Sequence, residues 1–153
     1  MAYLKKALQS ILLVFVLGGL WIYSHRVLSG QDYSSEIEKT ILESKKSNRI
    51  DLTQFKPGEW DEMIVWYPYS DIRDFKIDGI YLFFESSNIN SDDGKNVLLF
   101  IKNNKIKGHA VFSRKDADFT GLDLDAQRVL REKAVFKFNN LVEFPKVQFL
   151  EKN

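Results

Sequence analysis

The chain contains no cysteine. That excludes disulfides, thiolate metal sites, thiol nucleophiles and the lipidated cysteine of a bacterial lipoprotein together, although a disulfide-free fold still survives in an oxidising compartment. Neither sign of charge is in excess: 22 Lys and Arg stand against 21 Asp and Glu. Three of the basic residues (Lys5, Lys6, Arg26) and none of the acidic ones precede Gly30, which leaves 19 against 21 beyond it. A near-neutral domain without a basic stripe lacks the clustered Lys and Arg that backbone phosphates require, so a nucleic-acid partner is not expected. Glycine-rich phosphate loops of the G-x-G-x-x-G or Walker type are missing, and nucleotide chemistry has no support.

Histidine is scarce. His25 and His109 are the two in the chain, so any histidine-centred site is built around one of them. His109 lies in Lys107-Gly108-His109-Ala110, with no nucleophile-elbow motif of Ser or Cys nearby, and reads as a plain strand residue; His25 reads as interfacial.

Apolar residues, in contrast, are plentiful: 44% of the chain is hydrophobic and 14% aromatic, including twelve Phe. Such a composition buries enough surface to offset its ordering entropy and argues against disorder. From Ala7 to Tyr23 the chain reads ALQSILLVFVLGGLWIY, and from Ile11 to Tyr23 every residue is apolar or Gly. A span needs about 20 residues for about 30 Å of hydrocarbon. This core is at the short end, where a cleaved secretory signal is the rival reading. Ile22-Tyr23-Ser24 and Leu28-Ser29-Gly30 both put a bulky residue where a cleavage signature wants a small one. Tyr3 at one end and Trp21 with Tyr23 at the other resemble headgroup-level aromatic belts, and Arg26 is placed to snorkel outward. The expectation is a retained transmembrane helix within residues 1–30, in contact with the lipid bilayer. Lys5 and Lys6 before it outweigh Arg26 and then Lys39 after it, so the positive-inside rule puts the N-terminus in the cytoplasm and residues 31–153 in the periplasm or outside the cell, on a single-pass inner-membrane protein. The charge bias is small, and the reverse topology stays open. Gly18-Gly19 with Trp21 suits packing against another span, or only local packing.

Gln31-Asp32-Tyr33-Ser34 makes a polar exit from the anchor. Ser35 and Glu38 fit the S-x-x-E capping box of a helix from about Glu36 to Lys46, whose apolar stripe of Ile37, Ile41 and Leu42 is for docking on a sheet. The Lys56-Pro57-Gly58 turn follows, then strands at Met63 to Tyr67, Ile80 to Glu85, Val97 to Lys102 and Lys105 to Phe112. Asn103-Asn104 fits a tight hairpin, because Asn tolerates positive φ. Asp125 is read as the cap of a short helix through Glu132, and Ala134 to Phe138 and Lys146 to Leu150 as closing strands. The fold expected is α+β: an antiparallel sheet of about five to six strands with the N-terminal helix on one face, preceded by the transmembrane helix. The strands at 63–67, 80–85 and 97–102 are apolar on both sides, so both faces of the sheet need cover. One short helix covers one face; loops, a second short helix or something outside the chain must cover the other.

No set of residues amounts to a recognisable active site, and no catalytic, cofactor or metal residues are assigned. Asp116, Asp118, Asp123 and Asp125 match no EF-hand spacing and read as a solvated loop with one helix cap. Trp60-Asp61 and Trp66-Tyr67-Pro68-Tyr69 concentrate aromatics around the first strand. Core is the bland reading for these; as interface anchors, Trp66 and Tyr69 are expected to be partly exposed, with Tyr81 on the same face. Arg114 is expected either to salt-bridge Asp116 or Asp118 or to present its charge to a partner. The partner-binding candidates are therefore Trp66, Tyr69, Tyr81 and Arg114.

Phe55 and Trp60-Asp61 before a strand ending Pro68-Tyr69, Asp78-Gly79-Ile80 before a second, then Phe112-Ser113-Arg114 and Asp118-Phe119, all behind a hydrophobic N-terminus, make a pattern that resembles a group of small, uncharacterised exported or membrane-anchored bacterial proteins. The resemblance covers roughly Leu52 to Phe138, departs from the pattern between Tyr69 and Asp78, where a longer helical insert is expected, and implies no activity. Small anchored domains of this build sometimes serve as immunity proteins that bind a toxin outside the cytoplasm, an analogy of architecture alone. The function expected is a membrane-tethered extracytoplasmic module that binds a protein partner. The alternatives are a structural subunit of a membrane assembly and a carboxylate-dependent envelope enzyme, for which His109 and the Asp116 to Asp125 loop are the first candidates.

Overall fold

The structure, a computed structural model, describes residues 2–66, 75–78, 80, 92–122, 128–139 and 145–150. It is α+β, and the described residues hold two full helices and two sheets. The first helix, α1 (Ala2–Ser29), has 28 residues. Ile11, Leu12, Leu13, Val14, Phe15, Val16, Leu17, Leu20, Trp21, Ile22 and Tyr23 along it are each half or more exposed, so its apolar residues lie on all sides and none of these meets a core. Among the described residues no helix is long and apolar enough to cross a membrane. The unbroken run of described side chains in α1 covers residues 9–24, about 24 Å of helix against about 30 Å of hydrocarbon. The transmembrane helix expected ahead of the domain is therefore not found at this level; a long N-terminal helix is.

The polar exit after α1 is not a linker. Gln31–Asp32 form a short strand, β1, paired parallel to a later strand. Helix α2 (Ser34–Ser47) follows at once. Its start is held by Asp32 rather than by the expected Ser35 and Glu38 box: Asp32 Oδ1 accepts from the Ser34 N–H at 2.9 Å and the Ser34 hydroxyl at 2.6 Å. It ends on Asn48 in the left-handed region (φ 54), whose N–H returns to the Ser44 carbonyl. Ile37, Ile41 and Ser44 are its buried residues. Leu42, expected on the docking stripe, is 52% exposed, because a narrow stripe at i, i+4, i+7 leaves position i+5 on the flank.

The remaining strands are β2 (Arg49–Asp51), β3 (Glu62–Trp66), β4 (Lys95–Lys102), β5 (Lys105–Ser113), β6 (Arg128–Leu130), β7 (Val135–Phe138) and β8 (Val147–Phe149). They form a five-stranded sheet in the order β1-β5-β4-β3-β6 and a separate three-stranded sheet, β2-β7-β8. Every pair is antiparallel except β1 with β5, so the sheet is mixed rather than purely antiparallel. Asn103 (φ 51) and Asn104 (φ 59) make the tight β4–β5 turn that positive φ permits. Residues 128–130, expected within a helix, are strand: Val129 is buried between exposed Arg128 and Leu130, a period of two, and the three pair with Glu62, Met63 and Ile64. Among the described residues of that stretch, a short 3-10 turn at Arg131–Lys133 is the helical part. Of the strand expected over Ile80 to Glu85, Ile80 alone is described, with its N–H bonded to the Ile77 carbonyl; the rest, like Asp125, lies outside the described residues.

Each face of the large sheet has its own core. One holds Met63, Val65, Leu98, Phe100, Ala110, Phe112 and Val129 against α2 (Ile37, Ile41) and the small sheet (Ile50, Phe136, Phe138, Val147). The other holds Ile64, Trp66, Val97, Leu99, Ile101 and Ile106 against Phe75, Ile77 and Ile80 of the same chain. The demand for cover on both faces is real, and the chain itself meets much of it.

Candidate functional site

Of the four residues expected to bind a partner, Trp66 and Arg114 are described. Trp66 is 0% exposed within the second core: strand alternation turns it to the same side as Ile64, where Ile77 and Ile80 pack. It is a core residue and not the partly exposed anchor expected. Tyr69 and Tyr81 lie outside the described residues. Arg114 makes the expected salt bridge to Asp118, with Nε and Nη2 donating to the two carboxylate oxygens at 3.1 Å each, while Nη1 donates to the Asp93 carbonyl at 2.8 Å.

Asp118 is 1% exposed. Burial pushes its carboxyl up, but the Arg114 guanidinium, the Thr120 hydroxyl and the Thr120 N–H outweigh burial and hold it below the usual carboxylate range. Its backbone also ties the loop to the end of the small sheet, through Asp118 N–H to the Pro145 carbonyl and Val147 N–H to the Asp118 carbonyl. Asp116 pairs with Lys45 at 3.5 Å, and Asp123 and Asp125 lie outside the described residues. Among the described residues no cluster of three or more His, Asp or Glu could hold a metal ion.

The polar residues that do converge lie where α1 meets the sheet. A Cβ on Gly30 (φ +68) would stand 2.3 Å from the Lys107 carbonyl carbon, and one on Gly108 would stand 2.2 Å from the Tyr33 ring. Glycine at both positions is what lets β1 close onto β5. Tyr33 then plugs the joint: its N–H donates to the His109 carbonyl at 2.7 Å, its ring meets Phe55 and Phe100 edge-on, and its hydroxyl donates to Glu59 Oε2 at 2.6 Å. Burial first, and then the adjacent Glu59 carboxylate, push the Tyr33 hydroxyl well above its ordinary value, so it stays a donor.

Beside it, Asp32, Ser34 and His109 assemble three residue types familiar from hydrolases, in the wrong order. His109 Nε2 is 4.0 Å from Asp32 Oδ1. The Ser34 hydroxyl gives its proton to that same carboxylate and accepts the Val111 N–H at 2.9 Å. A nucleophilic serine needs the imidazole between itself and the acid; here the acid stands between. Burial raises the Asp32 carboxyl, and the Ser34 donors and the His109 charge more than reverse this, leaving it lowered. The trio is a clasp between β1, α2 and β5.

One open groove of about 620 Å³ is lined by Thr53, Gln54, Asp61, Leu130, Arg131 and Glu132. Arg131 is fixed in its wall: Nε donates to the Thr53 carbonyl at 2.8 Å and the guanidinium lies 5.2 Å from the Trp60 ring. Leu130 is 46% exposed, on an edge strand of the sheet. An apolar side chain on a strand with no second neighbour among the described residues, flanked by both signs of charge, suits an extended segment of another protein. Residues 125–132 read as a helix in the sequence, because Arg128-Val129-Leu130, one polar residue followed by two apolar ones, is too short a run to reveal a strand.

Comparison of the chain with protein-family models, with curated proteins and with solved structures finds no match.

Proposed function

We propose that this chain is a membrane-tethered, extracytoplasmic binding module. In this reading α1 sits in the inner membrane as a single span with its N-terminus in the cytoplasm, and the domain holds a protein partner on the outer side. The observation that carries the proposal is α1: eleven large apolar residues from Ile11 to Tyr23 are 50–75% exposed, on all sides of a helix, whereas water tolerates only isolated ones. The full helix reaches about 42 Å at 1.5 Å per residue, and its stretch from Ala7 to Tyr23, between Lys5 and Lys6 at one end and Ser24, His25 and Arg26 at the other, spans about 26 Å, at the short end for a bilayer core. The partner surface is the groove beside β6, around Leu130.

Binding is favoured over chemistry because the described ionisable groups below the surface are committed to structure: Asp118 to Arg114, Glu62 to Arg128 and Tyr33 to Glu59. A subunit of a membrane assembly is the second reading, supported by Gly18 and Gly19, where an added Cβ would meet nothing within 4 Å, so another helix has room to approach.

The test is purification of the tagged full-length chain from membranes in mild detergent, beside Leu130→Glu and Trp66→Ala. We expect a soluble protein partner with the parent, its loss with Leu130→Glu at unchanged melting temperature, and loss of fold with Trp66→Ala, for which a cavity of this kind costs about 3–5 kcal/mol. Recovery of the chain alone would overturn the binding reading, and recovery with integral membrane proteins only would favour the subunit.

A further inference from the structure

The β4–β5 hairpin carries no acidic residue from Gly94 to Lys115, and six Lys or Arg. Its two ends treat those charges differently. At the end away from the turn, Lys95 pairs with Asp92 at 2.8 Å and Arg114 with Asp118 at 3.1 Å. At the turn end, Lys102, Lys105 and Lys107 make no ion pair with any described carboxylate; Lys102 Nζ donates to the Gly58 carbonyl, and Lys105 and Lys107 are exposed. The register slips between Phe100 and Ile101, so Lys107 has no partner on β4, and a bulge of this kind re-aims a side chain. Acidic groups also lie near this end: Glu62 is held by Arg128 at 2.8 Å, Glu59 accepts the Tyr33 hydroxyl, Asp61 lies beside Lys102 through its N–H to the Ile101 carbonyl, and Asp78 lies beside Lys105 through its N–H to the Asn104 carbonyl.

The turn end is also the end at which α1 arrives. Gly30 abuts the Lys107 carbonyl, and β1 runs parallel to β5 from there. Because β1 is built into the sheet, no flexible linker separates the helix from the three lysines. We propose that the turn end of this hairpin, Lys102, Lys105 and Lys107 with Asn103 and Asn104, is a docking surface for anionic phospholipid headgroups. The inference rests on α1 being the anchor: residues 24–29 then lie at headgroup level, and the lysines beside Gly30 lie within about 8 Å, the Debye length at physiological salt, of the lipid phosphates. A lysine near an anionic surface contributes roughly fivefold in binding, so three together reach about a hundredfold at most.

Amine footprinting tests this on the whole chain with no substitution. The protein is reconstituted into nanodiscs of phosphatidylcholine alone or with about a third phosphatidylglycerol, acetylated with a water-soluble reagent, and read by mass spectrometry. Expected is at least roughly tenfold slower modification of Lys105 and Lys107 in the anionic discs, reversed in 1 M salt, where the Debye length falls to about 3 Å, with Lys115 at the opposite end of the hairpin unchanged in both. Equal rates for Lys105 and Lys107 in the two lipids, with the chain still in the discs, would overturn the headgroup site and leave the anchor standing. A chain that does not stay with discs of either composition would overturn both.

Discussion

Helix α1 and the domain that follows it treat the same kind of residue in opposite ways. In the domain, the exposed large apolar side chains among the described residues are Leu42, Leu130 and Leu150; in α1 there are eleven. Apolar burial stabilises by about 25 cal/mol per Å², so a chain that packs Trp60, Phe100, Phe112, Phe119 and Phe136 to 0–2% exposure is organised for water, and the adjoining helix is organised for something else. The sharpest way to break this contrast is to charge the helix. Leu13→Arg with Val16→Arg puts two cations in the middle of the apolar run, at about 2.5–3.5 kcal/mol each at the centre of a span. The expected outcome is transfer of the protein from the carbonate-resistant membrane pellet to the soluble fraction, with the domain's melting temperature unchanged. A variant that stays in the pellet would remove the difference on which the two-solvent reading stands.

The domain side of the contrast is probed by removing a partner from a buried charge. Arg114→Ala leaves the Asp118 carboxylate, 1% exposed, without its guanidinium, and breaking a buried pair costs about 3–5 kcal/mol. Acid sharpens this. In the parent the folded Asp118 carboxyl lies below its unfolded value, so its contribution is complete above about pH 4, the ordinary range, and is lost as the pH falls through the lower folded value. In the variant, burial acts with less opposition and the carboxyl rises, so protonation relieves it. Urea unfolding at pH 7 and pH 4 should therefore give a gap between parent and variant that narrows in acid; a gap that widens would mean Arg114 acts elsewhere than on Asp118.

Much of this architecture is legible in the sequence, and what is not has identifiable reasons. The Asn103-Asn104 turn, the flanking strands and the amphipathic helix carry local signals, and all three are present. The Arg114 salt bridge also follows from spacing, since i and i+4 on a turn bring opposite charges together. Strand β1 is not legible: two polar residues, Gln31 and Asp32, have no period, and their place in the sheet is set by Gly30 and Gly108, whose requirement for close backbone approach is a property of contacts 78 residues apart. The sequence leaves Trp66 between core and a partly exposed anchor because its strand is apolar on both sides; that pattern demands cover and is silent on its source, which proves to be Phe75, Ile77 and Ile80 of the same chain. Leu130 and Arg131 read as helix in the sequence because strand β6, at three residues, is too short to show a period of two.

The smallest expected effect falls at the boundary between the two regions. Asp32→Ala removes the acceptor for the Ser34 N–H and hydroxyl at the start of α2, and loss of such a cap costs about 1 kcal/mol. Asp32→Asn keeps an acceptor oxygen and should recover much of that loss. Neither substitution touches α1, so membrane partition should stay the same while the melting temperature falls by a few degrees in the alanine variant. Hydrogen exchange at Tyr33, whose N–H reaches the His109 carbonyl at 2.7 Å, reports whether the joint itself has opened. Faster exchange there with a preserved sheet elsewhere would mean that Asp32 fixes the helix to the domain; unchanged exchange would assign that task to Gly30, Tyr33 and Gly108 alone, with Asp32 serving only the helix it caps.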